Sequence, residues 1–308
     1  VTSIGKAAFQ NCSKLTKIEI PSSVTIIKEY AFSHCSSIEK ILIPSSVTII
    51  KEKAFNVCQK LKYVEFLNDT KIISFENKSF SSTAIESLQI PAHLKEIGEE
   101  CFFDCNNLRS IEFPKDCELL LIKRKSFYQT DLNEITIPSS VTNIGEMAFS
   151  HCDKLKTIIF PKVSKLKTIN SGAFSETGLI SITVPSYIET ICDKAFSKCF
   201  SLKSVLFENN SKLNTIKNGA FSATIIESIN IPSNVMTIGE NAFADCDQLK
   251  SIVFPNDAKI ETIGKSAFFN NAFETIEIPS KIQCISKSLF TGCTNLKNIK
   301  FKDDSQLT

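Results

Sequence analysis

Apolar and polar residues alternate in short runs that recur in the same order along the whole chain. The clearest run is Leu132-Asn133-Glu134-Ile135-Thr136-Ile137. Its period-2 pattern predicts a short strand with one buried face, as do Leu15, Ile18 and Ile20 in an earlier copy. Pro138 closes the run, as Pro21, Pro44, Pro91, Pro185, Pro232 and Pro279 close others, because proline has no N–H to give to a ladder. Ser139-Ser140-Val141-Thr142-Asn143-Ile144-Gly145 follows, then Glu146-Met147-Ala148-Phe149-Ser150-His151-Cys152. The stretch around Ala-Phe is too short for a long helix. A single helical turn is expected there, burying the phenylalanine against the coils above and below.

The marker phenylalanines are Phe9, Phe32, Phe55, Phe80, Phe102, Phe127, Phe149, Phe174, Phe196, Phe221, Phe243, Phe268 and Phe290. Their spacing is 23, 23 and 25 residues, then 22 and 25 in alternation, which makes the later chain a 47-residue double repeat. A strand of five or six residues and one turn make no core by themselves, whereas stacked coils bury a continuous one. The pattern therefore predicts an α/β repeat solenoid of about 13 coils of 22–25 residues. A parallel sheet is expected on its concave face and single helical turns or 3-10 segments on its convex side. Because each coil packs only on its neighbours, residues 1–308 are read as one domain. Val1-Thr2-Ser3-Ile4-Gly5 elsewhere follows a strand and Pro-Ser-Ser, and Leu307-Thr308 stops where another Ala-Phe is due. The expectation is a piece truncated within a repeat at both ends, with targeting signals and caps lying outside it.

The composite phrase Leu-x-x-Ile-x-Ile-Pro-x-x-Val-x-x-Ile-Gly-x-x-Ala-Phe-x-x-Cys resembles the BspA-like leucine-rich-repeat family over the entire chain. The departures are alternate coils in which Thr83, Thr130, Thr177, Thr224 and Asn271 replace the cysteine. The resemblance implies a surface-exposed or secreted protein of a mucosal bacterium or parasitic protist, acting as an adhesion module toward a host protein, matrix component or cell surface.

Composition narrows the chemistry. The hydrophobic fraction of 43% supports a core, and a net charge of +2 gives no basic field of the kind that nucleic acid requires. The longest clearly apolar run, Leu119 to Ile122, falls far short of a membrane span, so no membrane insertion is expected in this segment. No nucleophile elbow, Walker loop, His-Glu-x-x-His or Gly-x-Gly-x-x-Gly occurs, and the carboxylates are scattered. No catalytic residue, cofactor or metal site is nominated, and the chain is read as no enzyme.

Cys12, Cys35, Cys58, Cys105, Cys152, Cys199, Cys246 and Cys293 share one repeat position. From Cys58 onward they lie 47 residues and two coils apart, about 9.6 Å at 4.8 Å per coil, too far for a shared zinc ion or a disulfide. They are read as free, buried, structural thiols. The absence of a disulfide framework favours an alternative function, an intracellular protein-interaction scaffold. His34 and His151 are equivalent positions five coils apart and read as variable surface residues. Asn11, Asn68, Asn77 and Asn209 head Asn-x-Ser/Thr triplets, of which Asn68 and Asn209 fall in inserted loops.

Outward strand residues form two columns, the usual binding face of a curved repeat. One contains Lys40, Tyr63, Ser87, Ser110 and Ser204; the other contains Glu65, Thr136, Ile159, Thr183, Leu206, Asn230 and Val253. Tyr63, Thr136, Ile159, Thr183, Leu206, Asn230 and Val253 are the candidate binding surface. Ile159, Leu206 and Val253 recur every 47 residues where exposure is expected, which fits either a contact site or the ordinary preference of sheets for such side chains. Lys203, Glu227, Lys250, Glu274 and Lys297 alternate in sign as a cross-strand charge ladder would. The loops Leu67–Thr70, Glu208–Ser211 and Pro255–Ala258 are expected to protrude along one edge as a second candidate surface.

Overall fold

The computed structural model describes residues 1–308. By contacts the chain divides into two compact units, Val1–Lys165 and Leu166–Thr308, each a stack of the predicted coils. Most coils have two parallel ladders rather than one. The Ile positions before the Gly site form two-residue strands that pair in register from coil to coil. In the first unit these are Ser3–Ile4, Ile26–Ile27, Ile49–Ile50, Ser74–Phe75, Glu96–Ile97, Leu121–Ile122 and Asn143–Ile144, one seven-stranded sheet. In the second they are Thr168–Ile169, Thr190–Ile191, Thr215–Ile216, Thr237–Ile238 and Thr262–Ile263, a five-stranded sheet.

The predicted Leu-x-x-Ile-x-Ile strands form the other ladder. In the second unit Ser181–Val184, Ser204–Phe207, Ser228–Asn230 and Ser251–Val253 make one four-stranded sheet. In the first unit they pair as Lys40–Ile43 with Tyr63–Phe66, Ser87–Gln89 with Ser110–Glu112, and Glu134–Thr136 with Thr157–Ile159. The run around Leu15, Ile18 and Ile20 forms no strand, and Leu15 and Ile18 stay half-exposed. The strand-ending prolines also start a turn: Val24 N–H donates to the Pro21 carbonyl at 3.0 Å and Val141 N–H to that of Pro138 at 3.1 Å.

The Ala-Phe segment corrects the expectation of helical or 3-10 turns, because no helix of either kind forms. Its N–H groups alternate instead between two destinations. In the coil of Phe196, Ala195, Ser197 and Cys199 donate to Cys192, Lys194 and Phe196 three residues back, at 3.2, 3.1 and 3.4 Å. Lys194, Phe196 and Lys198 donate to Asn218, Ala220 and Ser222 of the next coil, at 2.8, 2.8 and 2.7 Å. A helical turn would direct every N–H back along its own segment and leave the neighbouring coil unbonded. The chain stays flat because two residues per coil, four apart, take left-handed backbone: Lys194 (φ 55°) and Lys198 (φ 57°) here, Ala7 (54°) and Asn11 (62°) in the first coil. His34 (61°) and His151 (59°) occupy such positions, so their place in the repeat is a backbone role as well as a surface one. Glycine takes the position only at Gly172, Gly219 and Gly292, and this is why the sequence reads as helix-compatible there.

Between the ladders lies the core. Within the first unit the rings of Phe9, Phe32, Phe55, Phe80, Phe102, Phe127 and Phe149 stack face to face with centroids 5.1 to 5.6 Å apart. Phe174, Phe196, Phe221, Phe243, Phe268 and Phe290 do the same in the second, at 5.3 to 6.0 Å. All but Phe9 and Phe290 are wholly buried. Complete burial of a side chain of this size stabilises by about 2–3 kcal/mol, before any gain from ring contact.

Left-handed backbone is least tolerable for a β-branched residue, and Val57 has φ 57°. Asparagine stands at the equivalent Asn11 and Asn270. Val57→Asn should raise stability by about 0.5–1 kcal/mol, measured by urea denaturation; a lower midpoint would show that the packing of the Val57 methyls outweighs the strain.

Candidate functional site

The thiol column is a hydrogen-bond ladder. Each buried Sγ donates to the carbonyl of the marker phenylalanine in the preceding coil: Cys35 to Phe9 (3.0 Å), Cys58 to Phe32 (3.1 Å), Cys105 to Phe80 (3.1 Å) and Cys152 to Phe127 (3.0 Å). In the second unit Cys199 reaches Phe174 (3.1 Å), Cys246 reaches Phe221 (3.2 Å) and Cys293 reaches Phe268 (3.1 Å). The threonines that replace cysteine in alternate coils serve the same carbonyls from within their own coil. Thr83, Thr130, Thr177 and Thr224 donate to Phe80, Phe127, Phe174 and Phe221 at 2.9 to 3.1 Å, and each hydroxyl lies 3.2 or 3.3 Å from the next thiol. Asn271 Nδ2 instead donates to Phe243 of the preceding coil at 3.0 Å, as the thiols do. Cys12 differs from the expectation of burial: it is exposed.

Burial pushes these thiols up from an ordinary value near 9. Cys105, Cys152, Cys199 and Cys246 reach about 11 even though the threonine hydroxyls lower them, and Cys58 reaches about 12. The thiolate needed for chemistry is therefore suppressed at neutral pH. Off the column, Cys101 and Cys192 are buried, Cys117 is half-buried and Cys284 is exposed.

The strands present their alternate residues outward, as the pattern requires. Thr136 and Ile159 are partners in one strand pair and line a groove together with Glu112, Pro138 and Pro161. In the second unit Thr183 pairs with Leu206 and Asn230 with Val253 on one sheet, which brings these four candidates side by side. Leu206 is 61% exposed and Val253 49%, on strands whose opposite face is core. Tyr63, 49% exposed, stands in the other column of the first unit opposite Lys40 and belongs to a different groove. One rung of the proposed charge ladder closes, Glu274 with Lys297 at 3.2 Å, and Lys62 with Glu86 at 3.3 Å makes a comparable rung in the first unit. Such exposed pairs contribute little beyond register. In the inserted loops Asn68 and Asn209 are both exposed.

Comparison with known proteins completes the site. The family description "BspA type Leucine rich repeat region (6 copies)" matches residues 2–120, 73–203, 120–247 and 214–307. The chain belongs to this family. A leucine-rich repeat protein from Bacteroides ovatus has a solved structure 29% identical to it, with a TM-score of 0.78 over 99% of this chain and 77% of that one. A leucine rich cell surface protein from Faecalibacterium prausnitzii is 24% identical, with a TM-score of 0.51 over 98% and 83%. The pneumococcal vaccine antigen PcpA is 21% identical, with a TM-score of 0.52 over 99% and 68%. The last two likenesses are of fold. None of the curated proteins matches the chain. No helix is long and apolar enough to cross a membrane.

Titration of the native chain with an aromatic disulfide reagent should consume Cys12 and Cys284 quickly and Cys117 slowly, with all 12 thiols reacting once urea unfolds it. Because the buried thiols hold their protons to higher pH when folded, their contribution to stability is full below about 9 and falls as pH rises through about 11. Urea midpoints taken from pH 8 upward should decline across that window; a flat profile would remove the assignment.

Proposed function

We propose that this repeat module is a non-enzymatic binding protein of the cell surface or the secreted fraction, recognising a host protein, matrix component or cell surface. The observation that carries the reading is the row Thr183, Leu206, Asn230 and Val253, in which two large apolar side chains stand in solvent on a sheet held rigid by the core behind it. Exposed apolar side chains of this kind, flanked by polar neighbours, suit a macromolecular contact. Membership of the BspA-type family, a scaffold of binding rather than of catalysis, and the likeness to a protein described as cell-surface support it. An enzyme would need titratable groups converging on a substrate, and the nominated surface consists of a tyrosine and neutral side chains.

A second reading has one observation in its favour. All 12 cysteines are free, which accords with a reducing compartment and so with an intracellular protein-interaction scaffold. Most of these thiols are buried and so poorly reactive in either compartment. Antibody against the chain should label intact source cells before permeabilisation; labelling only afterwards would replace the surface reading with the scaffold. The purified chain should bind cells or matrix of the target tissue, and Leu206→Ser with Val253→Ser should weaken that binding at least tenfold while stability stays within about 0.5 kcal/mol. Unchanged binding would move the contact off this row.

We further propose that residues 1–308 unfold as one cooperative solenoid domain. Scanning calorimetry should give a single transition; two transitions would make the contact-defined units independent.

A further inference from the structure

Positions 47 residues apart carry a graded chemistry on the outward face. In the long coils they read Glu65, Glu112, Ile159, Leu206, Val253 and Lys300. The strand itself therefore accepts carboxylate, aliphatic or ammonium at this position, and the fold does not call for the two glutamates.

Glu65 and Glu112 flank Gln89 on neighbouring strands of the first unit, where they border a groove of about 450 Å³. Tyr63, Asp69, Thr70 and Gln89 belong to its polar lining, with Asn68 and Ser87. The lining contains three carboxylates and no lysine, arginine or histidine. Lys40, beside it, is already engaged with Glu65 at 2.7 Å, an exposed pair that a ligand can replace at little loss. Gln89 Nε2 donates to Glu112 Oε2 at 3.2 Å, which leaves that carboxylate its charge and further acceptor capacity.

A second feature singles out the same place. Thr70 is 8% exposed, and its buried hydroxyl has no hydrogen-bond partner. Its repeat equivalents are satisfied: Ser211 Oγ accepts from Leu213 N–H at 3.3 Å, and Ser164 Oγ donates to the Val141 carbonyl at 3.2 Å. An unpaired hydroxyl buried behind a groove wall is unfavourable unless a water completes it. The loop that holds it, Leu67–Thr70, also brings Asp69 to the groove in left-handed backbone (φ 60°).

We infer that this groove binds a basic, extended peptide segment through two cationic side chains. The inference rests on the protein-binding reading and names the chemistry of one partner segment. Glu65 and Glu112 lie two coils apart, about 10 Å at the spacing of parallel strands. That spacing sets two anionic anchor points on either side of Gln89. It matches the rise of about 9 Å between residues i and i+3 of a polyproline II segment, which lie on the same side of that helix. One arginine or lysine pairs with Glu112 and the other with Glu65. The ring of Tyr63, half in solvent, offers a face to the second cation. Guanidinium suits the site better than ammonium because its planar fork engages a carboxylate and an aromatic face at once.

The test is fluorescence anisotropy of the purified 1–308 chain with a labelled peptide bearing Arg-Pro-Pro-Arg. Saturable binding that weakens with added salt is expected, and replacing both arginines by neutral citrulline should abolish it. Glu65→Leu with Glu112→Val installs the residues found at Leu206 and Val253, so the fold is retained; it should weaken binding by about tenfold or more. Glu112→Gln, near-isosteric, should weaken it in the same direction. Leu206→Ser with Val253→Ser should leave peptide binding unchanged. Absence of binding, equal binding of the citrulline peptide, or full binding by the glutamate variants would overturn the inference. Because the assay uses the isolated chain, its outcome is separate from cell labelling: labelled cells with no peptide binding would remove this site and keep the surface reading, and the converse would do the reverse.

Discussion

A coil of 22 to 25 residues has no inside of its own, and the bond that makes one is the backbone N–H given to the next coil. In the Ala-Phe segment every second N–H crosses to the neighbouring coil, while those between close three-residue turns at home. Within each unit this alternation holds the segment flat, sets adjacent coils in register and brings one marker phenylalanine onto the next. The left-handed residues are its local expense, two per coil, and the ring stacks and buried thiols are what it makes possible. Remove the crossing bonds and the phenylalanine column has nothing to align it.

The cysteines show how one scaffold accepts different side chains for a single task. A carbonyl of a marker phenylalanine, turned into the core, needs a donor. At Phe80 a thiol from the following coil supplies one and a threonine in the same coil adds a second, and at Phe243 Asn271 of the following coil takes the thiol's place. A reading that treats the thiols as small hydrophobes captures their burial and inertness but not this bond. The donor becomes visible only when the preceding coil is in place.

The outward face behaves differently from the core because neighbouring coils do not constrain its side chains. Equivalent positions carry a carboxylate at Glu65 and Glu112, an aliphatic side chain at Ile159, Leu206 and Val253 and an ammonium at Lys300 with the strand unchanged. Freedom from structural duty is what lets the acidic groove and the apolar row differ on one repeat, and it is the reason a repeat array can present several contact chemistries without altering its fold.

Period-2 alternation in Leu-x-x-Ile-x-Ile identified the strands and their outward residues, since a strand displays its side chains on alternate faces wherever it sits. The phenylalanine spacing likewise gave the coil length, and the BspA-type phrase gave the family. The Ala-Phe segment was misread as helical because residues such as Lys194, Met147 and Glu100 are good helix formers, and their left-handed backbone is imposed by hydrogen bonds to a coil some 22 residues away. The second ladder was missed for a related reason: two-residue strands such as Thr190–Ile191 are too short to announce a period. The column thiols' partners, the unpaired hydroxyl of Thr70 and the meeting of Glu65, Asp69 and Glu112 in one groove were likewise decided by the tertiary structure. Sequence fixes what a residue can offer along its own coil; which groups lie across from it depends on stacking, and stacking brings together residues that the chain keeps far apart.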